Sequence, residues 1–207
     1  VGIRAYNLIV LAVVLLMAAI VPAAGADSTS SQEYQVKAAF LYNFIQFVDW
    51  PAEKLTDDNK PIIIGIIGDD PFGNAFEPIK DKKIRNRAVV IKRFESFEKL
   101  KNPSEKDKPE SDQKIETLKR CHLLFICSSE QKTLKDIIDT VKDHSVLTVG
   151  EMDGFLEAGG IISWFVEEKK IRFDINATSA ERAKLEIRSN LLRLAKRVIG
   201  EDTNRKT

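Results

Sequence analysis

Histidine and cysteine are scarce in this chain of 207 residues, which holds two of each. His122 and His144 do not sit in runs with metal-ligand spacing, so no zinc site of the usual kinds can be assigned. Two cysteines are too few for a scaffold built on disulfides. If CHLLFIC is one strand, Cys121 and Cys127 stand roughly 20 Å apart at about 3.3 Å per residue. A disulfide needs Cα atoms within roughly 7 Å, so that pair is excluded. Phosphate-binding spacings of the G-x-G-x-x-G or P-loop kind are missing, as is the G-x-S-x-G of a nucleophile elbow. An excess of either charge is missing too, with 32 basic side chains against 31 acidic. A neutral chain is a poor partner for nucleic acid or a generally acidic membrane surface. Nor is there an internal repeat.

Only one long apolar run occurs, Tyr6 to Val21. Arg4 precedes it, and Pro22-Ala-Ala-Gly-Ala26 follows with the A-x-A pattern of a secretory signal, placing cleavage after Ala26. The run is shorter than the roughly 20 residues a membrane span needs. Processing leaves residues 27–207 with 31 bases and 31 acids, an exported domain with no second run long enough to span a membrane.

The rest alternates short β-branched runs with amphipathic segments. Glu33 to Asp49 reads as a helix, with Val36, Phe40, Phe44 and Phe47 at steps of 4, 4 and 3. It stops at Trp50-Pro51, because the residue before proline avoids helical geometry. Strands are expected at Pro61–Gly68, Arg87–Arg93, His122–Cys127 and Ser145–Val149. Short helices are expected at Asn74–Lys80 and Glu130–Asp143. Residues 101–114 are dense in charge with two prolines and read as a flexible loop. Ile161–Val166 and Ile171–Asn176 form a hairpin across the polar turn Glu167 to Lys170. Thr178-Ser179-Ala180-Glu181 fits a capping box, followed by a long helix through Ala183, Ile187, Leu191, Leu194, Ala195 and Val198. The class is α/β: a single domain with a mostly parallel sheet, an antiparallel C-terminal hairpin and helices on both faces.

Candidate sites are few. Asp69 and Asp70 follow the first buried strand, at the carboxyl end where α/β sheets bind ligands. Paired acids there could hold a divalent cation or act as acid and base, although Asp before proline also caps turns. Ser128 or Ser129 suits the cap of the next helix, and Asn176 suits a helix start better than a glycan. Arg172 and Asp174 share one face of the last hairpin strand. The aromatic side of the first helix, Phe40, Phe44 and Phe47, exceeds what one sheet covers and offers a dimer surface. No catalytic residue, metal or cofactor is assigned.

Five stretches in order carry a family likeness: KAAFLYNFIQFVDWP (Lys37–Pro51), IIGIIGDDPFG (Ile63–Gly73), CHLLFIC (Cys121–Cys127), SVLTVGEMDGFLEAGGII (Ser145–Ile162) and IRFDINATSAERAKLEIRSNLLRLA (Ile171–Ala195). Together they resemble the YfiR-like periplasmic proteins. The resemblance implies an exported, often dimeric, non-enzymatic α/β domain. It would act by contact with the periplasmic part of a membrane-bound diguanylate cyclase, or with a sensor kinase, linking envelope conditions to cyclic di-GMP. The contact surface expected here is Asp69, Asp70 and Phe72 with Arg172 and Asp174. Some members pair a cysteine in the first strand with the one that is Cys121 here; PIIIGIIG has none. The rival expectation is a small periplasmic ligand- or metal-binding protein or hydrolase using Asp69 and Asp70. A third is solute capture for a transporter.

Overall fold

A computed structural model describes residues 25–57 and 60–200. The export signal expected at residues 1–26 lies outside the described residues, save its last two. Two compact units divide the chain, Val1–Glu33 and Tyr34–Thr207, and the architecture below is that of the second. Helix α1 (Gly25–Gln46) crosses that boundary. It starts earlier than its periodicity suggested and ends three residues sooner, at a two-residue strand β1 (Val48–Asp49). Trp50 is then pinned by its indole N–H, which donates to Ser145 O at 3.0 Å.

The strands that follow are β2 (Ile62–Ile67), β3 (Lys83–Ile84), β4 (Arg87–Phe94), β5 (Leu123–Ile126), β6 (Leu147–Gly150), β7 (Ile162–Glu167), β8 (Lys170–Asn176), β9 (Glu186–Ile187) and β10 (Arg197–Ile199). Helices α2 (Phe97–Lys101), α3 (Lys108–Arg120), α4 (Leu134–Val141), α5 (Ala177–Arg182) and α6 (Ser189–Leu192) lie between them. Eight strands form one sheet in the order β10-β8-β7-β6-β5-β2-β4-β3, while β1 and β9 pair separately. Strands β4, β2, β5, β6 and β7 run parallel, and β8 returns antiparallel to β7. The chain leaves β2 for β4 on one side and comes back to β5 on the other. The β2–β5 seam is therefore the point where strand order reverses.

Alternation along the strands sends side chains to two cores. Ile62, Ile64 and Ile66 of β2 and Leu123 and Phe125 of β5 meet Leu41, Phe44 and Ile45 of α1 on one face. On the other, Ile67, Leu124 and Ile126 meet Leu118 of α3 and Ile137, Ile138 and Val141 of α4. Each large side chain so buried contributes about 1.5–3 kcal/mol, and both faces carry helices. The β7–β8 hairpin turns through Glu168 and Lys169, at φ 50° and 61°. Two positive-φ residues make the tight turn whose twist matches the strands it joins.

Two expectations fail. Residues 101–114 are not one loop, because Lys108 opens α3 with a proline in its first turn and Ser111 and Leu118 on its buried side. Proline at that position forfeits no hydrogen bond, and Glu110 pairs with Lys114 one turn on. The long C-terminal helix is also absent. Asn176, not Thr178, caps α5, its side chain accepting from Ser179 N. The helix then closes after one and a half turns: Leu185 N donates to Ala180 O and Lys184 N to Glu181 O, both at 2.9 Å. This is a Schellman ending, with Lys184 at φ 56° in the place glycine usually takes. Beyond it, β9 pairs antiparallel with β1, and β10 runs parallel to β8.

Candidate functional site

The carboxyl ends of β2 and β5 meet at the strand-order reversal, where an α/β sheet ordinarily opens a ligand crevice. Here the two loops press together. Asp69 N donates to Ser129 Oγ at 2.9 Å. A Cβ on Gly68 would come within 2.4 Å of that hydroxyl oxygen. Asp70 has both carboxylate oxygens engaged: Oδ1 accepts from Phe72 N at 2.8 Å and Oδ2 from Arg93 Nε at 2.6 Å. Arg93 also donates to Gly73 O, so one guanidinium clasps the whole loop. Asp70 therefore caps a turn and anchors it, while Asp69 stays exposed. Below, buried Glu130 accepts from Phe97 N and Thr133 Oγ1. Among the described residues, no group of three or more potential metal ligands converges.

The other expected contact residues divide. Phe72 is 3% exposed and plugs the core, its ring 4.9 Å from Phe125 and 5.2 Å from Tyr34. Phe44 is 1% exposed and packs on Phe173 and Trp164, so it cannot form a dimer surface. Phe40 and Phe47 are half-buried against the same core. A helix face this aromatic is absorbed because β7 and β8 extend the sheet beneath it. Arg172 is exposed, but Asp174 is buried beside β10 and paired with Arg197 at 2.9 Å. The strand's polar face is thus half covered by an edge strand that helical periodicity had concealed. Among the described residues, large apolar side chains are exposed at Val36, Val90, Val166 and Leu194.

Sequence reasoning missed a buried ion pair. Lys37 of α1, 3% exposed, meets the Glu151 carboxylate just past β6, and Tyr34 Oη donates to the same carboxylate at 3.0 Å. Spacing carried the signal, since Lys37 lies four residues before Leu41 and seven before Phe44, on the buried stripe.

Also missed was a cavity of about 680 Å³ at the opposite, amino end of the strands, bordered by Pro61, Ile63, Arg87 and His122. His122 is 6% exposed and its Nδ1 accepts from Ile63 N at 3.1 Å. Burial, with the positive charges of Lys54 and Arg87 nearby, pushes this imidazole down to about 4. An unfolded histidine titrates near 6.5, so acid protonates the unfolded chain first. The stability tied to neutral His122 is fully present above pH 6.5 and is lost as pH falls toward 4. We expect it to supply roughly 3 kcal/mol of the acid sensitivity between pH 7 and pH 4. His122→Asn, which keeps an acceptor for Ile63 N, should flatten urea-derived stability over that range; an unchanged slope would show another group in charge.

Cys121 and Cys127 are both free and buried. Burial pushes each thiol up to about 12, so neither offers a reactive thiolate, and neither can reach a second chain while the protein is folded.

The YfiR/HmsC-like family model matches residues 34–196, most of the chain and all of the sheet up to β10. The chain belongs to the YfiR/HmsC-like family. Members of this family are periplasmic regulators of diguanylate cyclase signalling. No curated protein matches the chain. Two solved structures are similar in outline. A conserved domain protein of Vibrio cholerae O1 biovar El Tor has 13% identity and a TM-score of 0.47, covering 80% of this chain and 60% of its own. An ABC domain in complex with L-Trp from Streptococcus pneumoniae has 12% identity and a TM-score of 0.45, covering 72% and 58%. The YfiR/HmsC-like chain thus spans about three fifths of each. Among its described residues no helix is long and apolar enough to cross a membrane.

Proposed function

We propose that this YfiR/HmsC-like protein is a periplasmic regulator that controls a membrane-bound diguanylate cyclase, or a sensor kinase, through direct contact with the enzyme's periplasmic part. The family match over residues 34–196 carries the reading. The packed carboxyl-end loops are in keeping with a protein that runs no reaction there. Control of this kind requires that the regulator bind two states of its partner unequally. Arg172 and Asp69 are the exposed members of the expected contact set, and Val166 is an exposed apolar residue near the tip of the same β7–β8 hairpin, on the opposite face from Arg172. A homodimer belongs to the same reading.

The test uses the chain without residues 1–26, immobilised and mixed with detergent-solubilised membranes of its own organism. The expected result is retention of a diguanylate cyclase or sensor kinase, identified by mass spectrometry and by its activity. Retention of neither, from membranes shown to contain both, would overturn the reading. Asp69→Ala separates the rival: Asp69 is exposed, so partner binding should persist within about fivefold, since exposed charges contribute less than about 1 kcal/mol. A hydrolase or metal-binding protein using Asp69 and Asp70 would lose its activity instead.

A further inference from the structure

The cavity at the amino end of the strands lies on the far side of the sheet from the DDPFG loop, and its walls are unevenly charged. Lys54, at the end of the short 3-10 helix Ala52–Lys54, reaches into it. Its ammonium donates to Lys119 O at 3.0 Å and His144 O at 2.7 Å, which leaves a third N–H. His122 spends Nδ1 as an acceptor, so its neutral ring carries the proton on Nε2, a second donor on the same wall. Arg87 is tied to the backbone carbonyls of Leu55, Asp57 and Lys60, shaping the rim and adding charge. Among the described residues of the lining, Lys60, Lys119, Arg120 and His144 join the basic side, and Glu53 and Asp57 are the acids. Pro61, Ile63 and the lysine stems supply apolar surface. Volume and lining match small-molecule sites, which are concave, largely apolar and fitted with a few fixed polar groups.

We propose that this cavity binds a small anionic organic molecule, its carboxylate or phosphate held by Lys54 and His122 and its apolar body lying on Pro61 and Ile63. Donors held in place by other hydrogen bonds, each with an N–H left over, are suited to an oxyanion. Burial lowers Lys54 to about 8, so at pH 8 its ammonium is about half deprotonated and an arriving anion would draw a proton onto it. The inference concerns the isolated protein and stands whether or not a signalling enzyme is its partner.

Calorimetry on the chain without residues 1–26 tests it with four probes: benzoate, phenyl phosphate, inorganic phosphate and benzamide. Benzoate or phenyl phosphate should bind, and benzamide, which lacks the charge, should bind at least about tenfold more weakly. Benzoate binding with phenyl phosphate inert marks a carboxylate site, and the reverse a phosphate-ester site. At pH 8.5 binding should take up protons, seen as a heat that varies with the buffer. Lys54→Met should weaken binding about tenfold or more, the loss of one charged hydrogen bond. Because Lys54 also ties two backbone segments, Lys60→Gln/Arg120→Gln, confined to surface charges, serves as the second variant. It should weaken binding by a smaller factor while leaving Tm unchanged. Binding of inorganic phosphate alone, equal binding of benzamide, or binding untouched by either variant would overturn the proposal, as would failure of every probe.

Discussion

Glu151→Ala should lower folding stability by about 3 kcal/mol, the largest loss expected from a single polar side chain in this protein. Lys37 lies at 3% exposure under α1, its ammonium against Glu151 and 4.4 Å from the centre of the Tyr34 ring. Removing the carboxylate takes away the anion that reaches this charge from β6, and it costs the Tyr34 hydroxyl its acceptor at 3.0 Å. For a domain of this size the loss corresponds to a Tm drop of roughly 6–12 °C. Glu151→Gln, which keeps an acceptor but no charge, should fall between. Lys37→Met with Glu151→Leu should recover most of the loss, because a well-packed apolar pair often replaces a buried ion pair at little cost. Chemical denaturation checks all three. A Glu151→Ala change below about 1 kcal/mol would mean that the pair does not hold α1 to the sheet.

The second large effect runs in the other direction. Gly65 lies in the middle of β2, and a Cβ built on it would stand 2.8 Å from Cys121 Sγ. Gly65→Cys should therefore form a disulfide with Cys121. Closing a loop of about 57 residues is worth about 4 kcal/mol on the chain-entropy account. The same Cβ would lie 2.9 Å from Leu124 Cδ1, so the reduced variant should be less stable than the parent by about 1–3 kcal/mol. Comparing oxidised and reduced forms of one variant isolates the cross-link. Because burial holds Cys121 up to about 12, the bond should form during folding in an oxidising compartment and only slowly in the folded protein. Thiol titration in denaturant should find one free cysteine, Cys127. Three free thiols after oxidative refolding would refute the geometry.

Strands β2, β4 and β5 and the β7–β8 hairpin are legible in the chain because short β-branched runs bounded by polar turns leave little choice. Helix α1 is equally plain, yet its aromatics do not reveal their neighbour. Phe44 looks like surplus apolar face until β8 is seen to place Phe173 opposite it. The C-terminal segment misleads for a different reason. Its helical spacing from Ala183 to Val198 is broken by Lys184 at positive φ, a conformation that glycine would have announced and lysine does not. Helix α3 hides for want of a wide apolar face, with only Ser111 and Leu118 fully buried. At the site, the turn-capping role of Asp70 follows from its place before proline. The cavity does not, since Lys54, Arg87, His122 and His144 are scattered over 90 residues and only strand order gathers them.

The account turns on control of diguanylate cyclase signalling by a protein outside the cytoplasm. Cellular cyclic di-GMP, measured by mass spectrometry in cells lacking this protein, is the direct readout. It should rise several-fold and return to the parental level when the chain is supplied with its first 26 residues, but not when it is supplied without them. A cyclic di-GMP level that ignores the loss of the protein, or that a form confined to the cytoplasm restores, would contradict it.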